Sequence, residues 1–310
     1  MSTGKIVSVN ISENKGTIKK PVKGVVHVDV KGILGDAHSG SWHRQISLLS
    51  RERIEEFSKQ IGRPLSYGEF AENITTEGIN LKEATLFDRF SSGSLLLEVT
   101  QIGKECHGEG CAIFREVGKC VMPHEGIFCR VLHPGSIRSG DQIKHISVPL
   151  KFSVITASDR ASRGEYEDRS GPEVVKHIEQ FFVNKPWKLS FRKMIVPDEH
   201  DQLENAIRES VESSDIVFIT GGTGIGPRDI TCDIVEKIID KEIPGIMDYI
   251  RNKYGANIPS ALISRSIAGV AKSKLVYAIP GSVKAVREYV IEIMRTIEHS
   301  IFMLKGIDSH

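Results

Sequence analysis

The chain has 310 residues, of which 26% are charged and 40% hydrophobic, which is enough for two domains because single cores usually stop growing near ~250–300 residues. Its 41 Lys and Arg nearly balance its 40 Asp and Glu, for a net charge of +1, which excludes a broad basic face for nucleic acid or an anionic membrane. No apolar run approaches the ~18 residues that cross a bilayer. Residues 1–11 are too polar for a secretory signal, so we expect a cytoplasmic protein.

Cysteine is distributed unevenly. Only Cys232 lies in the second half, and an odd total of 5 without a spaced disulfide framework favours a reducing compartment. The other four are Cys106, Cys111, Cys120 and Cys129.

Residues 1–147 show the two-residue alternation of short strands, broken by glycine and polar clusters. One amphipathic helix is predicted after Ser50, a suitable N-cap, because apolar residues follow at spacings of three and four. Short strands with few helices need closure to protect their edges, so we predict a mostly β barrel. The predicted strands include Ile6–Ile11, Val25–Val30, Leu95–Ile102 and Phe128–Leu132.

Residues 151–310 alternate apolar strands with helices, and Pro149 marks the boundary. A helix from Pro172 suits proline at its first position, and a last helix from Val283 to Leu304 keeps apolar residues on one face. This alternation predicts a doubly wound α/β fold with a mostly parallel sheet. The predicted strands are Phe152–Thr156, Met194–Val196, Ile216–Thr220 and Leu275–Ile279.

Ligands bind outside the carboxyl ends of the strands in such sheets, which draws attention to the glycine loop after Thr220, Gly221–Asp229. Its backbone N–H groups, next to a helix start, suit a phosphate group. The loop matches neither a Walker A nor a dinucleotide-binding pattern, and a tight connection that needs glycine is the alternative.

Two carboxylates follow neighbouring strands, Asp198 and Asp229. Beside a phosphate loop they suit Mg²⁺, which takes a few hard oxygen ligands plus substrate phosphates. Alternatively, Asp198 caps the helix starting near His200, and Asp229 pairs with Arg228 or caps the next helix. Three arginines could neutralise phosphate or remain solvated: Arg160, Arg228 and Arg265.

Six segments of the second half together resemble the MogA/MoaB family of molybdenum cofactor biosynthesis over residues 151–306. Cys232 departs from the pattern, because many relatives carry proline there. The matching segments are Ser158-Asp159-Arg160-Ala161-Ser162, Pro197-Asp198, Thr220-Gly221-Gly222-Thr223-Gly224, Arg228-Asp229-Ile230-Thr231, Ser264-Arg265-Ser266 and Pro280-Gly281-Ser282.

The resemblance implies a trimeric α/β domain that activates molybdopterin with Mg-ATP as an adenylylated form and releases pyrophosphate. It implies that Asp198 and Asp229 are the essential acidic pair and hold Mg²⁺. The residues expected to bind substrate are Ser158, Asp159, Arg160, Thr220, Gly221, Gly222, Thr223, Gly224, Arg228, Ser264, Arg265, Pro280, Gly281 and Ser282.

The first half resembles a MOSC domain over about residues 1–147, which implies a β-barrel that binds the pterin cofactor or carries sulfur. The matching segments are Gly35-Asp36-Ala37-His38-Ser39-Gly40, Gln45–Leu49, Gly68–Gly78 and Gly135–Asp141.

A thiolate is the nucleophile and soft ligand that a sulfur carrier or molybdenum binder needs, and Cys106, followed by His107, lies where the MOSC pattern has its cysteine. A buried structural cysteine is the alternative, and for Cys129 it is the favoured interpretation. Zinc or an iron–sulfur centre could use Cys106, His107, Cys111, Cys120 and His124. The expected pocket contains Cys106, His107, Cys111, Glu72, Asn73 and His38, and His43 and Arg44 are expected to line it too; the alternative is that several of these residues cap loops.

The combined hypothesis is a cytoplasmic enzyme whose second domain adenylylates molybdopterin and whose barrel holds a later pterin, molybdenum or tungsten form close by. The expected partners are small-molecule substrates and further copies of the chain, with no nucleic acid and no membrane. Two alternatives remain: a non-catalytic cofactor carrier and a cysteine-based metal module.

Overall fold

The computed structural model describes residues 1–104 and 121–308. No helix within these ranges is long and apolar enough to cross a membrane. The chain divides into two compact units, one of Met1–Pro149 with Pro186–Lys188 and one of Leu150–Lys185 with Leu189–His310.

The first unit is built around a closed barrel of seven strands. Its closure follows the order β1-β6-β5-β9-β8-β7-β11, and β11 pairs again with β1, so every barrel strand has two neighbours. β2 pairs antiparallel with the end of β1. A separate small sheet has the order β10-β3-β4. The predicted barrel is confirmed. The strands are β1 (Ser2–Ile11), β2 (Lys20–Pro21), β3 (Val26–Asp29), β4 (Gly32–Ile33), β5 (Ile46–Ser50), β6 (Ile74–Glu77), β7 (Arg89–Ser92), β8 (Leu95–Ile102), β9 (Ile127–His133), β10 (Gly135–Ile137) and β11 (Gln142–Ile146).

Helix α1 (Arg51–Ile61) begins where the sequence predicts. The Ser50 hydroxyl accepts a hydrogen bond from the Arg53 N–H at 3.3 Å, and Gly62 ends the helix at φ 73°. Its buried face, Ile54 and Phe57, packs in a cluster with Leu49, Phe70, Val121, Met122 and Phe128. The unit also contains a 3₁₀ turn (Leu81–Glu83) and α2 (Met122–Glu125).

The second unit is a six-stranded sheet of order β13-β12-β14-β17-β16-β15. The strands β13, β12, β14 and β17 pair in parallel, whereas β16 pairs antiparallel with β17 and β15 pairs antiparallel with β16. The predicted mostly parallel α/β fold is confirmed. The elements are β12 (Leu150–Ala157), α3 (Asp159–Ser162), α4 (Ser170–Phe182), β13 (Leu189–Val196), α5 (His200–Ser213), β14 (Ile216–Thr220), α6 (Thr231–Ile238), β15 (Lys241–Glu242), α7 (Pro244–Gly255), a 3₁₀ helix (Pro259–Ile263), β16 (Ile267–Ala271), β17 (Lys274–Ile279) and α8 (Val283–Leu304).

Helices cover both faces of this sheet. On one face, α5 and α6 pack on alternate strand residues in a cluster that includes Ile155, Val217, Ile219 and Val276. On the other face, α4 and α8 lie against each other, and the rings of Phe218 and Tyr277 stack at 5.0 Å on neighbouring strands. Because successive strand residues face opposite sides, strands covered on both sides are apolar throughout.

Candidate functional site

Four loops leave the carboxyl ends of the parallel strands at one edge of the second unit's sheet. Because β13, β12, β14 and β17 are parallel neighbours, the segments that follow them meet at this edge. These segments are Pro197-Asp198, Ser158–Ser162, Gly221–Asp229 and Pro280–Ser282.

A cavity of about 610 Å³ lies at this edge. Its lining includes Gly222, Thr223, Gly224, Asp229, Ser264, Pro280, Gly281 and Ser282, all expected from the sequence. It also includes residues that the sequence analysis did not single out, among them Ile225, Ile258, Ser260, Ile263, Lys284 and Tyr289. The other predicted residues of the second half are not part of the lining: Ser158, Asp159, Arg160, Asp198, Thr220, Gly221, Arg228 and Arg265.

The glycine loop needs glycine for close contacts and for its backbone angles. Gly221 and Gly222 have φ of 105° and 63°, and a Cβ atom at Gly221 would lie 2.3 Å from the Ala157 carbonyl oxygen. A Cβ atom at Gly222 would lie 2.4 Å from Oγ1 of Thr231, at the start of α6. The first two residues of the loop are therefore packed tightly between the end of β12 and the start of α6, with no room for a side chain at either position.

Asp198 is joined to the loop after β12 by a reciprocal pair of hydrogen bonds. Its Oδ2 accepts from the Asp159 N–H at 3.0 Å, and its own N–H donates to Asp159 Oδ1 at 3.0 Å. Its Oδ1 is buried without a hydrogen-bond partner among the described residues. Burial raises the pKa of Asp198, and the nearby carboxylates of Asp159 and Asp229 act in the same direction. Its side chain does not cap α5, whose N-cap is Glu199.

Asp229 faces the cavity from the end of the glycine loop. Its Oδ2 accepts a hydrogen bond from the Gly226 N–H at 2.8 Å. It does not form an ion pair with Arg228, because the Arg228 guanidinium pairs with Asp159 instead. This bond from Arg228 helps to hold the pKa of Asp159 below its usual range.

The three arginines considered as phosphate ligands have different surroundings. Arg228 and Arg160 are exposed, and Arg160 lies 5.0 Å from the centre of the Tyr166 ring. Arg265 is bound to protein groups: its guanidinium contacts the carbonyl oxygens of Gly224 and Asp229 and the carboxylate of Asp233.

The predicted hydroxyl groups have structural partners. Ser158 Oγ accepts from the Ala161 N–H, and Ser282 Oγ accepts from the Ala285 N–H at the start of α8. Ser264 Oγ lies 2.7 Å from Ser266 Oγ, and Thr220 Oγ1 donates to the Pro280 carbonyl oxygen.

Within residues 1–104 and 121–308, no group of three or more His, Cys, Asp or Glu is arranged to hold a metal ion. A divalent cation at the second unit's sheet edge would therefore take two protein carboxylates and complete its coordination with substrate or water. The buried, unpaired Oδ1 of Asp198, whose carboxylate is close enough to Asp229 for the two charges to repel, fits such an ion, and Mg²⁺ commonly binds through one or two carboxylates plus phosphates.

The first unit holds a buried charged cluster that the sequence analysis only partly found. Lys19 and Asp36 form an ion pair with fully buried side chains, and Lys19 Nζ lies 3.1 Å from Nδ1 of His38. Burial opposes the charge of both partners; nevertheless, hydrogen bonds from His38 and Lys19 hold the pKa of Asp36 below its usual range. Asp36 lies in the Gly35–Gly40 segment, whereas no local pattern marks Lys19.

Glu72 and Asn73 are both buried, with different roles. Oε1 of Glu72 accepts from the Gly68 N–H and from Thr75, Oε2 has no hydrogen-bond partner among the described residues, and burial raises the pKa to about 7. Asn73 Oδ1 accepts from the N–H of Ser47, and Nδ2 donates to the carbonyl oxygen of Asn10. Asn73 therefore links β5 to β1.

The predicted cysteine site lies largely outside the described residues: Cys106, His107, Cys111 and Cys120. His124 lies in α2. Cys129 and Cys232 are buried with free thiols, and burial raises the pKa of Cys129. Cys129 thus has the surroundings of a structural cysteine.

Two family matches cover the two units. Residues 153–299 match "Probable molybdopterin binding domain", and residues 35–144 match "MOSC domain". The molybdopterin adenylyltransferase of Helicobacter pylori strain 26695 is 33% identical over 159 residues, which are 51% of this chain and 89% of that protein. The molybdopterin adenylyltransferase of Haemophilus influenzae is 35% identical over 162 residues, 52% of this chain and 80% of that protein.

A solved structure, that of the molybdopterin biosynthesis Mog protein from Mycobacterium ulcerans, is 28% identical to this chain. The match covers 52% of this chain and 99% of the Mog protein chain, with a TM-score of 0.47.

The fold and the matches define a two-domain protein, in which a MOSC domain precedes a molybdopterin-binding type of α/β domain. The chain belongs to the MogA/MoaB family of molybdenum cofactor biosynthesis proteins through its second unit.

Proposed function

We propose that the second unit transfers an adenylyl group from Mg-ATP to molybdopterin. The observation that carries this proposal is the cavity of about 610 Å³ that joins the glycine loop, the Asp229 carboxylate and the start of α8 at the carboxyl edge of the sheet. The H. pylori and H. influenzae relatives, both named molybdopterin adenylyltransferase, support it.

The reaction needs positioning more than a protein nucleophile. A terminal phosphate oxygen of molybdopterin attacks the α-phosphorus of ATP, the bond from that phosphorus to the oxygen bridging to the β-phosphate breaks, and pyrophosphate leaves. The chain's task is to align two anionic groups and offset their charge. The glycine loop offers close backbone approach, and the start of α8 at Ser282 offers the positive end of a 22-residue helix.

Asp198 and Asp229 are the residues that would hold Mg²⁺. When bound, Mg²⁺ neutralises phosphate charge and orients the reacting groups. The reciprocal bonds between Asp198 and Asp159 fix the Asp198 carboxylate, and the Gly226 N–H fixes that of Asp229. Exposed Arg228, next in sequence to Asp229, is free to exchange its partner Asp159 for a phosphate.

For the first unit we propose binding of a pterin or metal form that follows adenylylation. Its support is the buried carboxylate of Glu72, whose Oε2 has no hydrogen-bond partner among the described residues, together with the half-buried His38 next to the Lys19–Asp36 pair. Joining two such units in one chain raises the effective concentration of an intermediate near its next site. A cytoplasmic trimer, assembled through the second unit, and a molybdenum or tungsten cargo belong to the same proposal.

The test measures pyrophosphate release by the purified full chain with molybdopterin and Mg-ATP. We expect release by the wild type and by Asp201→Asn, whose carboxylate is exposed at the start of α5. Asp229→Asn should lose it. Unchanged release by Asp229→Asn would refute the site assignment. Molybdopterin binding with no release by the wild type would instead favour a non-catalytic carrier.

A further inference from the structure

Arg265, just before β16, is the central link of the glycine loop. Nε donates to the carbonyl oxygen of Gly224 at 2.9 Å, and Nη2 donates to that of Asp229 at 2.8 Å. Nη1 and Nη2 together grip the Asp233 carboxylate at 2.8 and 2.9 Å, in the first turn of α6. The main-chain N–H of Arg265 donates to the Thr223 carbonyl oxygen at 2.9 Å. One residue thus bonds to Thr223 and Gly224 in the first half of the loop, to its last residue and to the helix that follows it.

The loop also has its own hydrogen bonds. Four of its nine residues are glycine, which has the greatest backbone freedom to lose on ordering. The Gly226 N–H donates to Asp229 Oδ2 and the Asp229 N–H donates to the Gly226 carbonyl oxygen, which closes a turn at the end of the loop, while the N–H groups of Gly221 and Thr231 bond to the carbonyl oxygens of Ile279 and Gly222. Arg265 joins this turn to Gly224 and to α6. The planar fork of Arg265 fixes three groups at once, which a lysine ammonium at the same place does not reproduce.

The charge of Arg265 is largely neutralised by the carboxylate it grips. The two-bond geometry with Asp233 is the strong, directional kind of arginine–carboxylate pair. A guanidinium in this arrangement has four of its five N–H donors committed to protein oxygen atoms. It has little left to offer a phosphate.

We infer that Arg265, oriented by Asp233, is a positioning residue that places the Asp229 carboxylate and the glycine loop for a divalent cation, and is not itself a phosphate ligand. The inference deepens the proposed function, because it assigns a role within the same site.

The two roles predict opposite results for Asp233→Asn. If Arg265 positions Asp229, weakening its anchor disorders the loop, so Asp233→Asn behaves like a mild form of Arg265→Lys. If Arg265 binds phosphate directly, removing the competing carboxylate frees the guanidinium, and anion binding becomes tighter. The sign of the change therefore separates the two roles.

The experiment uses the full chain and the two variants, with Arg208→Lys as the matched control. Arg208 also grips a carboxylate, that of Glu204, on the exposed side of α5, and forms no bond with the loop among the described residues. Three quantities are measured: Mn²⁺ binding by electron paramagnetic resonance, inorganic pyrophosphate binding by calorimetry in the presence of Mg²⁺, and amide hydrogen exchange over residues 221–230. Thermal unfolding is measured for each variant.

We expect Arg265→Lys to weaken Mn²⁺ binding at least about tenfold and to speed exchange of the Gly226 amide by a similar factor, since each tenfold step corresponds to about 1.4 kcal/mol. Asp233→Asn should show the same changes at smaller size, and Arg208→Lys none of them. Exchange in α8 should stay unchanged in every variant, which separates loop disorder from general loss of stability.

Tighter pyrophosphate binding by Asp233→Asn would overturn the inference, as would unchanged loop exchange in Arg265→Lys. Failure of the proposed function is a separate outcome. A wild type that binds Mn²⁺ but releases no pyrophosphate would refute adenylyl transfer, while the loop exchange of the variants would still support or refute the role of Arg265.

Discussion

The Lys19–Asp36 pair of the first unit and Asp198 of the second show two ways of burying a charge. In the first unit, Lys19 and Asp36 are fully buried and satisfy each other inside the barrel domain. In the second unit, Asp198 lies in a loop at the edge of the sheet, and its buried Oδ1 has no hydrogen-bond partner among the described residues. Its carboxylate is close enough to Asp229 for the two charges to repel. A buried charge whose partners are in place has no bonding capacity left for a ligand, whereas a buried carboxylate oxygen without a partner has it. The comparison shows that burial alone does not distinguish a structural charge from a binding group; the unused bonding capacity does.

The largest expected effect is on the free energy of unfolding, when the ion pair of Lys19 and Asp36 is broken. Lys19→Met leaves the Asp36 carboxylate buried without its partner, which should lower the free energy of unfolding by about 3–5 kcal/mol. Urea unfolding followed by the fluorescence of Trp42 and Trp187 reports on the first unit. Lys20→Met changes an exposed neighbour and serves as control. Equal stabilities of the two variants would contradict the structural role of the pair.

Glu72 predicts a pH dependence of the first unit. Burial raises its pKa to about 7 in the folded state, so the folded protein binds a proton that the unfolded chain releases near its ordinary pKa. Stability is therefore greatest at low pH for this group and falls as the pH rises towards 7, by on the order of 3 kcal/mol.

Urea unfolding between pH 4.5 and 7.5 measures this fall for the wild type and for Glu72→Gln, which should remove most of it. Glu13→Gln, at an exposed position, should keep it. A Glu72→Gln variant with the pH profile of the wild type would show that the group does not titrate in this range.

Removing the buried charge of Asp198 should lower the rate of pyrophosphate release without lowering the free energy of unfolding. Asp198→Asn should lower the rate of pyrophosphate release by about 10²-fold or more, equivalent to about 2.7 kcal/mol. Its free energy of unfolding should stay the same or rise, because burial and neighbouring carboxylates already oppose its charge. Urea unfolding and pyrophosphate release by the same samples provide the test, with Asp201→Asn as control. A loss of stability matching the loss of rate would mean that Asp198 is structural.

The smallest expected effect concerns a neutral group. The Tyr277 hydroxyl is fully buried and has no hydrogen-bond partner among the described residues, so Tyr277→Phe should change the free energy of unfolding by no more than about 1 kcal/mol, towards greater stability. Tyr254→Phe is the control, because the Tyr254 hydroxyl donates to Glu292 and its loss should destabilise. Urea unfolding followed by circular dichroism compares them. Marked destabilisation by Tyr277→Phe would indicate a bound water at that hydroxyl.

The elements best predicted from sequence are those with local signals. The helix after Ser50 has an N-cap and an apolar face, and the helix from Val283 to Leu304 has the same two signals. Strand β16 was not predicted, because it is joined to β17 through Lys272 and Ser273, which adopt φ of 48° and 61° without a glycine or asparagine to mark the turn.

The site was predicted less completely, for a related reason. Alternation of strands and helices predicts a parallel sheet, which brings the loops that carry Asp198 and Asp229 to one edge. It does not fix the strand order: the expectation that these two residues follow neighbouring strands was wrong, because β12 lies between β13 and β14. By contrast, the target of the Arg265 guanidinium depends on a fold contact with Asp233, 32 residues away. The pairing of Lys19 with Asp36 also depends on tertiary structure, since no local sequence pattern around Lys19 predicts a buried ion pair.

The shape of the glycine loop has a consequence for how the cavity can evolve. At Gly222 and Gly224, which line the cavity, the first added carbon would lie 2.4 and 2.6 Å from a side-chain oxygen atom of Thr231 and Asp229. No smaller step exists between glycine and the next amino acid, so the pocket cannot be remodelled gradually at these positions. Other lining residues, among them Ile258, Ser260 and Tyr289, already carry side chains, so we expect the cavity to change shape in smaller steps there.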